Sequence, residues 1–167
     1  MTPRVLIAYA TTNGSTREIA ESIGATLRDH GLRAEVQVAS DADDPKLFDG
    51  VIIGGAIYMG RWHRDARRFL RRHRRALSTM PVAMFGTGPT TIDDTSVASS
   101  LGQLERALAK VPEVPPVSVA IFGGVIDPAR LHFPFSGMAP SDARDWDDIT
   151  AWAGDVASHV PHMTIPV

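Results

Sequence analysis

Tyr9-Ala10-Thr11-Thr12-Asn13-Gly14-Ser15-Thr16 joins two kinds of patterning. Before it, Val5, Leu6, Ile7 and Ala8 make a short apolar run without alternation, as a strand buried on both faces of a parallel sheet requires. After it, Ile19, Ala20, Ile23 and Leu27 recur at helical spacing. The hydroxyl-rich turn therefore stands where a strand hands over to a helix. Free backbone N–H groups and the positive end of the helix dipole gather there and favour an anion.

Outward from that turn, the chain alternates short apolar runs with amphipathic stretches. Gly31 supplies a helix stop, and Ala34 to Val38 alternates as a shorter strand with one polar side. Asp41 to Phe48 has room for a helical turn or two. Val51, Ile52 and Ile53 form a third strand, followed by a loop from Gly54 to His63 and a helix whose apolar face is Ala66, Phe69, Leu70 and Leu77. Pro81 opens a fourth strand, Val82 to Phe85, which runs into Gly86-Thr87-Gly88-Pro89. Val97 to Leu108 has the pattern of another helix, closed off by Pro115 and Pro116. Val117 to Phe122 is the fifth strand, and a last helix from near Asp142 buries Trp146, Ile149, Ala153 and Val156. Strands alternating with helices through short glycine-bearing loops specify an α/β doubly wound parallel sheet. Ligands bind such sheets beyond the carboxyl ends of the strands, so the loops after strands one, three and four are expected to converge on one site.

Composition narrows the chemistry. At 167 residues and 44% hydrophobic, the chain is expected to form one domain, 1–167. The absence of cysteine excludes disulfides, thiolate metal sites, iron–sulfur clusters and a cysteine nucleophile, and fits a reducing compartment. With no leader-like segment and a longest apolar run, Val51 to Gly60, too short for a bilayer, a cytoplasmic location is expected. The net charge of −2 hides an uneven distribution: eight arginines and one acid between Arg61 and Arg75 give +7 locally, and the rest of the chain carries −9. No internal repeat or low-complexity tract appears.

The first loop is separable from other phosphate-binding loops. A Walker A loop needs a lysine for the outer phosphates, and Thr11 to Thr16 has none. A dinucleotide fingerprint needs three glycines, and this loop has Gly14 alone. Hydroxyls from Thr11, Ser15 and Thr16, the Asn13 amide and helical N–H groups suit a terminal phosphate monoester.

Ile7 to Ile23 resembles the FMN-phosphate signature of flavodoxins, with an aromatic after the strand, the hydroxyl pair Thr11 and Thr16, and a helical alanine. Within that family, Thr16-Arg17-Glu18-Ile19-Ala20, Gly54-Gly55-Ala56-Ile57 with Gly60, Trp62 and His63, and Arg144-Asp145-Trp146 are similar to the branch named for menaquinone-dependent protoporphyrinogen oxidase. The resemblance implies a flavodoxin-like three-layer sandwich on a five-stranded parallel sheet in the order 2-1-3-4-5, with FMN as cofactor. It implies that Thr11, Thr12, Asn13, Gly14, Ser15 and Thr16 bind the phosphate. Ile57, Tyr58, Met59, Gly60 and Trp62, with Thr87, Gly88, Pro89 and Thr90, would then flank the isoalloxazine ring. Tyr58 and Trp62 are the expected stacking residues. Gly60 is the expected backbone partner of the flavin N5 edge. The sequence departs from the membrane-associated oxidases of that branch in a shorter segment, Val125 to Ser141, before the last helix. It departs from acidic electron carriers in its arginine cluster.

Other residues have competing readings. His63 is a candidate proton donor to a substrate or quinone, or a structural histidine. His159 and His162 lack a carboxylate companion, so no metal site is expected. Trp146 and Trp152 read as packing residues. The arginines are either the solvated face of a helix or a surface for an acidic redox partner or anionic lipid headgroups, which allows at most peripheral membrane contact. Nucleic acid is disfavoured because the stretch lacks interleaved aromatics and the chain is net acidic. Leu131, His132, Phe133, Pro134, Phe135 and Met138 lie in a long connection suited to a lid or a partner contact. Three functions follow: an FMN oxidoreductase acting on a quinone, porphyrinogen or similar aromatic compound; a flavodoxin-type electron carrier; or a non-catalytic FMN-binding module.

Overall fold

The computed structural model describes residues 2–11, 14–88, 94–126 and 141–160. Its centre is a run of five parallel strands: β1 (Arg4–Ala10), β2 (Arg33–Val38), β3 (Gly50–Tyr58), β5 (Val82–Thr87) and β6 (Ser118–Phe122). They lie side by side as β2-β1-β3-β5-β6, which is the expected 2-1-3-4-5 order counted over parallel strands. A sixth strand, the two-residue β4 (Arg61–Trp62), pairs antiparallel with the end of β3.

Helices cover both faces, giving three layers. On one side α1 (Ser15–Asp29) and α5 (Trp146–Ala157) bury Ile19, Ile23, Leu27, Ile149 and Ala153 against Val5, Ile7, Ile52 and Phe85. On the other, α2 (Arg64–Arg72), α3 (Arg74–Leu77) and α4 (Asp94–Ala109) pack Phe69, Leu70, Leu77 and Leu104 against Leu6, Ile53, Val82 and Met84. The unalternating apolar run of β1 follows from this: its neighbouring side chains enter opposite cores, and both are buried.

Four sequence expectations change in detail. The stretch after Ile53, expected as a loop, continues as strand to Tyr58. Its Gly54-Gly55 pair is needed inside the sheet, because a Cβ on Gly54 would overlap the Phe85 ring and one on Gly55 would stand 2.7 Å from the Trp62 Nε1. The helix expected to run unbroken through Leu77 is interrupted at His73, whose φ of −107° and ψ of 16° separate α2 from α3. Asp41 to Phe48 resolves into 3-10 turns at Ala39–Asp41 and Pro45–Leu47. Trp146, expected in the core, opens α5 and is 41% exposed, with the Arg144 guanidinium 4.9 Å from its ring centroid. Trp152 does pack, edge-on to Phe85 and Phe122, and its Nε1 donates to the Ser118 Oγ at 2.8 Å.

A small ribbon of β7 (Val125–Ile126) and β8 (Ser141–Asp142) joins β6 to α5. The segment from Leu131 to Met138 lies outside the described residues. Among the described residues, no helix is long and apolar enough to cross a membrane.

Candidate functional site at the carboxyl ends of the strands

The loops that leave the carboxyl ends of β1, β3, β5 and β6 meet through short contacts. Thr16 at the start of α1 and Thr87 at the end of β5 share a hydrogen bond of 2.8 Å between their Oγ1 atoms, and both side chains are buried. Gly88 backs onto Ile57, whose carbonyl oxygen would be 2.8 Å from any Cβ added there. Gly124 in turn lies against Gly88, and a Cβ on Gly123 would overlap the Ala143 carbonyl. Side chains at these positions would push the loops apart. Their absence is what lets four strand ends share one rim.

Within that rim, α1 begins in an unusual way. Gly14 is its N-cap at φ 89°, a left-handed backbone, and no side chain of the described residues caps the helix. The Thr11 Oγ1 accepts the Gly14 N–H at 3.0 Å, which bends the chain into the turn without occupying the helical N–H groups. The Thr16 side chain is fully buried and its hydroxyl is bonded to that of Thr87. Either hydroxyl of that pair has the second bonding capacity of a Ser/Thr oxygen. Thr12 and Asn13, also expected to contribute, lie outside the described residues, as do Pro89 and Thr90.

The second component is a hairpin. Ile57 pairs with Trp62 and Tyr58 with Arg61, leaving Met59 and Gly60 as a two-residue turn with φ of 51° and 71°. Two consecutive positive φ values are the type I′ geometry that matches strand twist. Glycine adopts it freely, whereas Met59 does so against its own Cβ. Tyr58 and Met59 are exposed, at 47% and 71%, so the tip of this hairpin offers an aromatic and a thioether side chain beside the rim.

Trp62 is not part of that surface, and its expected role as a stacking residue is corrected. The indole is 1% exposed, and its Nε1 edge packs against Gly55. Its Nε1 donates to the carbonyls of Gly55 and Phe85 at 3.1 and 3.2 Å. It braces β4 against β3 and β5, and so holds the hairpin from behind. The signal in the sequence was the Gly54-Gly55 pair seven residues before a tryptophan: a wide ring needs a neighbour with no side chain.

His63 has a structural task as well. Its Nδ1 accepts the Asp65 N–H at 3.0 Å, capping α2, and burial followed by the Arg67 charge pulls its pKa below the usual histidine value against the opposing pull of Asp65. A neutral imidazole is what a cap acceptor requires. Among the described residues no group of His, Asp and Glu side chains is placed to hold a metal ion.

Arg144 ties the last loop to the first helix. Its guanidinium bonds both Asp142 and Glu18 of α1, and the bond to Arg144 holds the Asp142 carboxyl below its usual range. The 142–146 segment is thereby fixed across the start of α1.

Comparison with known proteins agrees with this architecture. A family model described as a flavodoxin domain matches residues 6–135. The chain belongs to the flavodoxin family. Solved flavodoxins share the fold of this flavodoxin domain at low identity: one from the domain Archaea superposes with a TM-score of 0.64 and 13% identity, over 95% of this chain and 99% of that one. The two-electron reduced flavodoxin of Megasphaera elsdenii gives 0.64 and 14%, over 92% and 98%. Among curated proteins, the protoporphyrinogen IX dehydrogenase [quinone] of Escherichia coli K12 is 32% identical over 84 residues, 49% of this chain and 46% of that protein. The Leishmania major protein of the same name is 25% identical over 134 residues, 78% of this chain and 58% of its own length. The matched part of this chain thus spans about half the length of these curated relatives.

Proposed function

We propose that this flavodoxin domain binds FMN at the rim and serves as an oxidoreductase passing electrons between the flavin and a quinone, a porphyrinogen or a similar hydrophobic aromatic compound. The observation that carries the reading is the start of α1. A 15-residue helix opens on a left-handed glycine, with no side-chain cap among the described residues, and a hairpin at the end of β3 exposes Tyr58 and Met59. A phosphate fits the first feature and a flat ring fits the second. Thr11, Gly14, Ser15 and Thr16, with Thr12 and Asn13, are the residues assigned to the phosphate. Ile57, Tyr58, Met59 and Gly60, with Thr87, Gly88, Pro89 and Thr90, are assigned to the ring, and Trp62 supports from behind.

FMN, when bound, supplies the electron or hydride chemistry. The protein's own contribution is to hold the phosphate by helix N–H groups, to set the ring edge against the Gly60 peptide and to shield it with Tyr58. His63 is assigned to the α2 cap, where its Nδ1 accepts the Asp65 N–H. The choice of quinone or porphyrinogen follows the names of the two dehydrogenases and rests on partial coverage of those proteins.

The test is an absorption spectrum of purified protein and an FMN titration, followed by anaerobic mixing of reduced protein with a menaquinone analogue. Uptake of FMN and rapid reoxidation support the proposal; a protein that takes up no FMN overturns it. Reoxidation by an acidic redox protein and by no quinone would favour the second reading, an electron carrier docking through the basic face of α2. That reading draws on the high coverage of the solved flavodoxins.

A further inference from the structure

We propose that the hollow between β4, α2 and α4 is a separate binding site for a small organic polyanion, a molecule carrying two or more phosphate or carboxylate groups. The cavity measures about 540 Å³ and is lined by Arg61 of β4, Arg67 and Arg71 of α2, and Arg106 and Lys110 at the end of α4. Among the described residues, no acidic one lines it. Arg67 and Arg71 are four apart on one helix, and so are Arg106 and Lys110 along the facing stretch, so two basic stripes are turned toward the same space.

These cations differ from four other arginines of the molecule. Arg4, Arg17, Arg74 and Arg144 each have a carboxylate partner. Among the described residues, none of the five around the hollow does; Arg106 meets only the amide oxygen of Gln103, at 3.4 Å. Arg67 is held in place by its Nε donating to the Trp62 carbonyl at 2.9 Å, and its pKa is lowered by burial and then by the charges of Arg61, Arg71 and Arg64. Like charges gathered round one space repel, and an anion within it turns that repulsion into attraction. Guanidinium forks match phosphate and carboxylate oxygens two at a time. The cavity is within the range of small-molecule sites and too large for one inorganic ion to fill. Met59 and Gly60 also line it, so an occupant reaches the back of the hairpin turn assigned to the flavin edge. That consequence, unlike the site itself, rests on the FMN reading.

Calorimetric titration of the full chain, saturated with FMN so that the start of α1 is filled, tests the site with pyrophosphate and with citrate as probes. Saturable one-to-one binding of either probe that persists at 0.15 M salt is expected, and the preferred probe tells phosphate from carboxylate. The double variant Arg67→Gln/Arg106→Gln should weaken binding by more than about tenfold, and Arg71→Gln alone by a few-fold. Arg68→Gln/Arg72→Gln, which removes as many charges from the same helix outside the hollow, should change it less than about twofold. Binding that is unsaturable, vanishes at 0.15 M salt, or falls equally in both double variants overturns the proposal. Failure to load FMN would refute the functional reading and leave the comparison of the two double variants legible in the unloaded chain.

Discussion

Helices α1 and α5 pack on the same face of the sheet, yet their first turns are built in opposite ways. α5 closes its own start: Asp145 accepts the N–H groups of Asp147 and Asp148, each at 3.1 Å, and the first turn carries two further acids. α2 does the same with His63. α1 opens on Gly14, which has no side chain to offer, and two neighbouring hydroxyls are engaged elsewhere, that of Thr11 with the Gly14 N–H and that of Thr16 with Thr87. A capped start serves stability. A start left open beneath converging loops is where a ligand can take the place of the cap.

That contrast can be broken in several places. The largest effect is expected from Gly14→Asp. Aspartate tolerates a left-handed backbone better than most residues, so the fold should survive, while a fixed negative charge at the helix start should weaken FMN binding at least ~100-fold, about 2.7 kcal/mol. Fluorescence titration reads this; unchanged affinity would mean that the phosphate sits elsewhere. Thr16→Val should come next. It leaves the Thr87 hydroxyl buried without its partner and should cost about 1–3 kcal/mol in denaturant unfolding, with much of the loss regained in Thr16→Val/Thr87→Val. If the double variant is no more stable than the single, the pair is not the tie it is taken to be.

Asp145→Ala should cost about 1 kcal/mol of stability, through two lost cap bonds, and leave FMN affinity within twofold. The two ends of one layer would then have separate roles, measured on one pair of variants. The smallest effect is with pH. His63 and His73 both have pKa values lowered by burial, so the unfolded chain binds more protons than the folded one just below the unperturbed value of about 6.5. Their contribution is complete above that pH and is lost as pH falls through the lowered folded values. His63→Asn, which keeps a cap acceptor without a titrating ring, should flatten part of that slope in thermal melts. An unaltered slope would place the titration in other groups.

Much of the architecture was legible in the residues because it follows from local pattern. The unalternating run Val5–Leu6–Ile7–Ala8 announced a strand between two cores, and the spacing of Ile19, Ala20, Ile23 and Leu27 announced a helix buried on one side. Right-handed crossovers then leave few strand orders. The site was legible only as far as backbone chemistry: a glycine at a strand-to-helix turn points to an anion whatever lies around it. Side-chain assignments fared less well. Trp62 read as a stacking ring and is a buried brace, and Trp146 read as core and lies half in solvent.

From the amino-acid order alone came the sheet and its layers, with an expectation of where a ligand would meet it, since hydrophobic period and glycine placement act over a few residues. Which hydroxyl faces which, which tryptophan is covered, and that Arg61 and Arg67 share a hollow with Arg106 and Lys110 depended on the fold. Those groups are dozens of residues apart in the chain, and a charge or a hydroxyl shows no periodicity that would say who its neighbour is until crossovers have set the helices side by side.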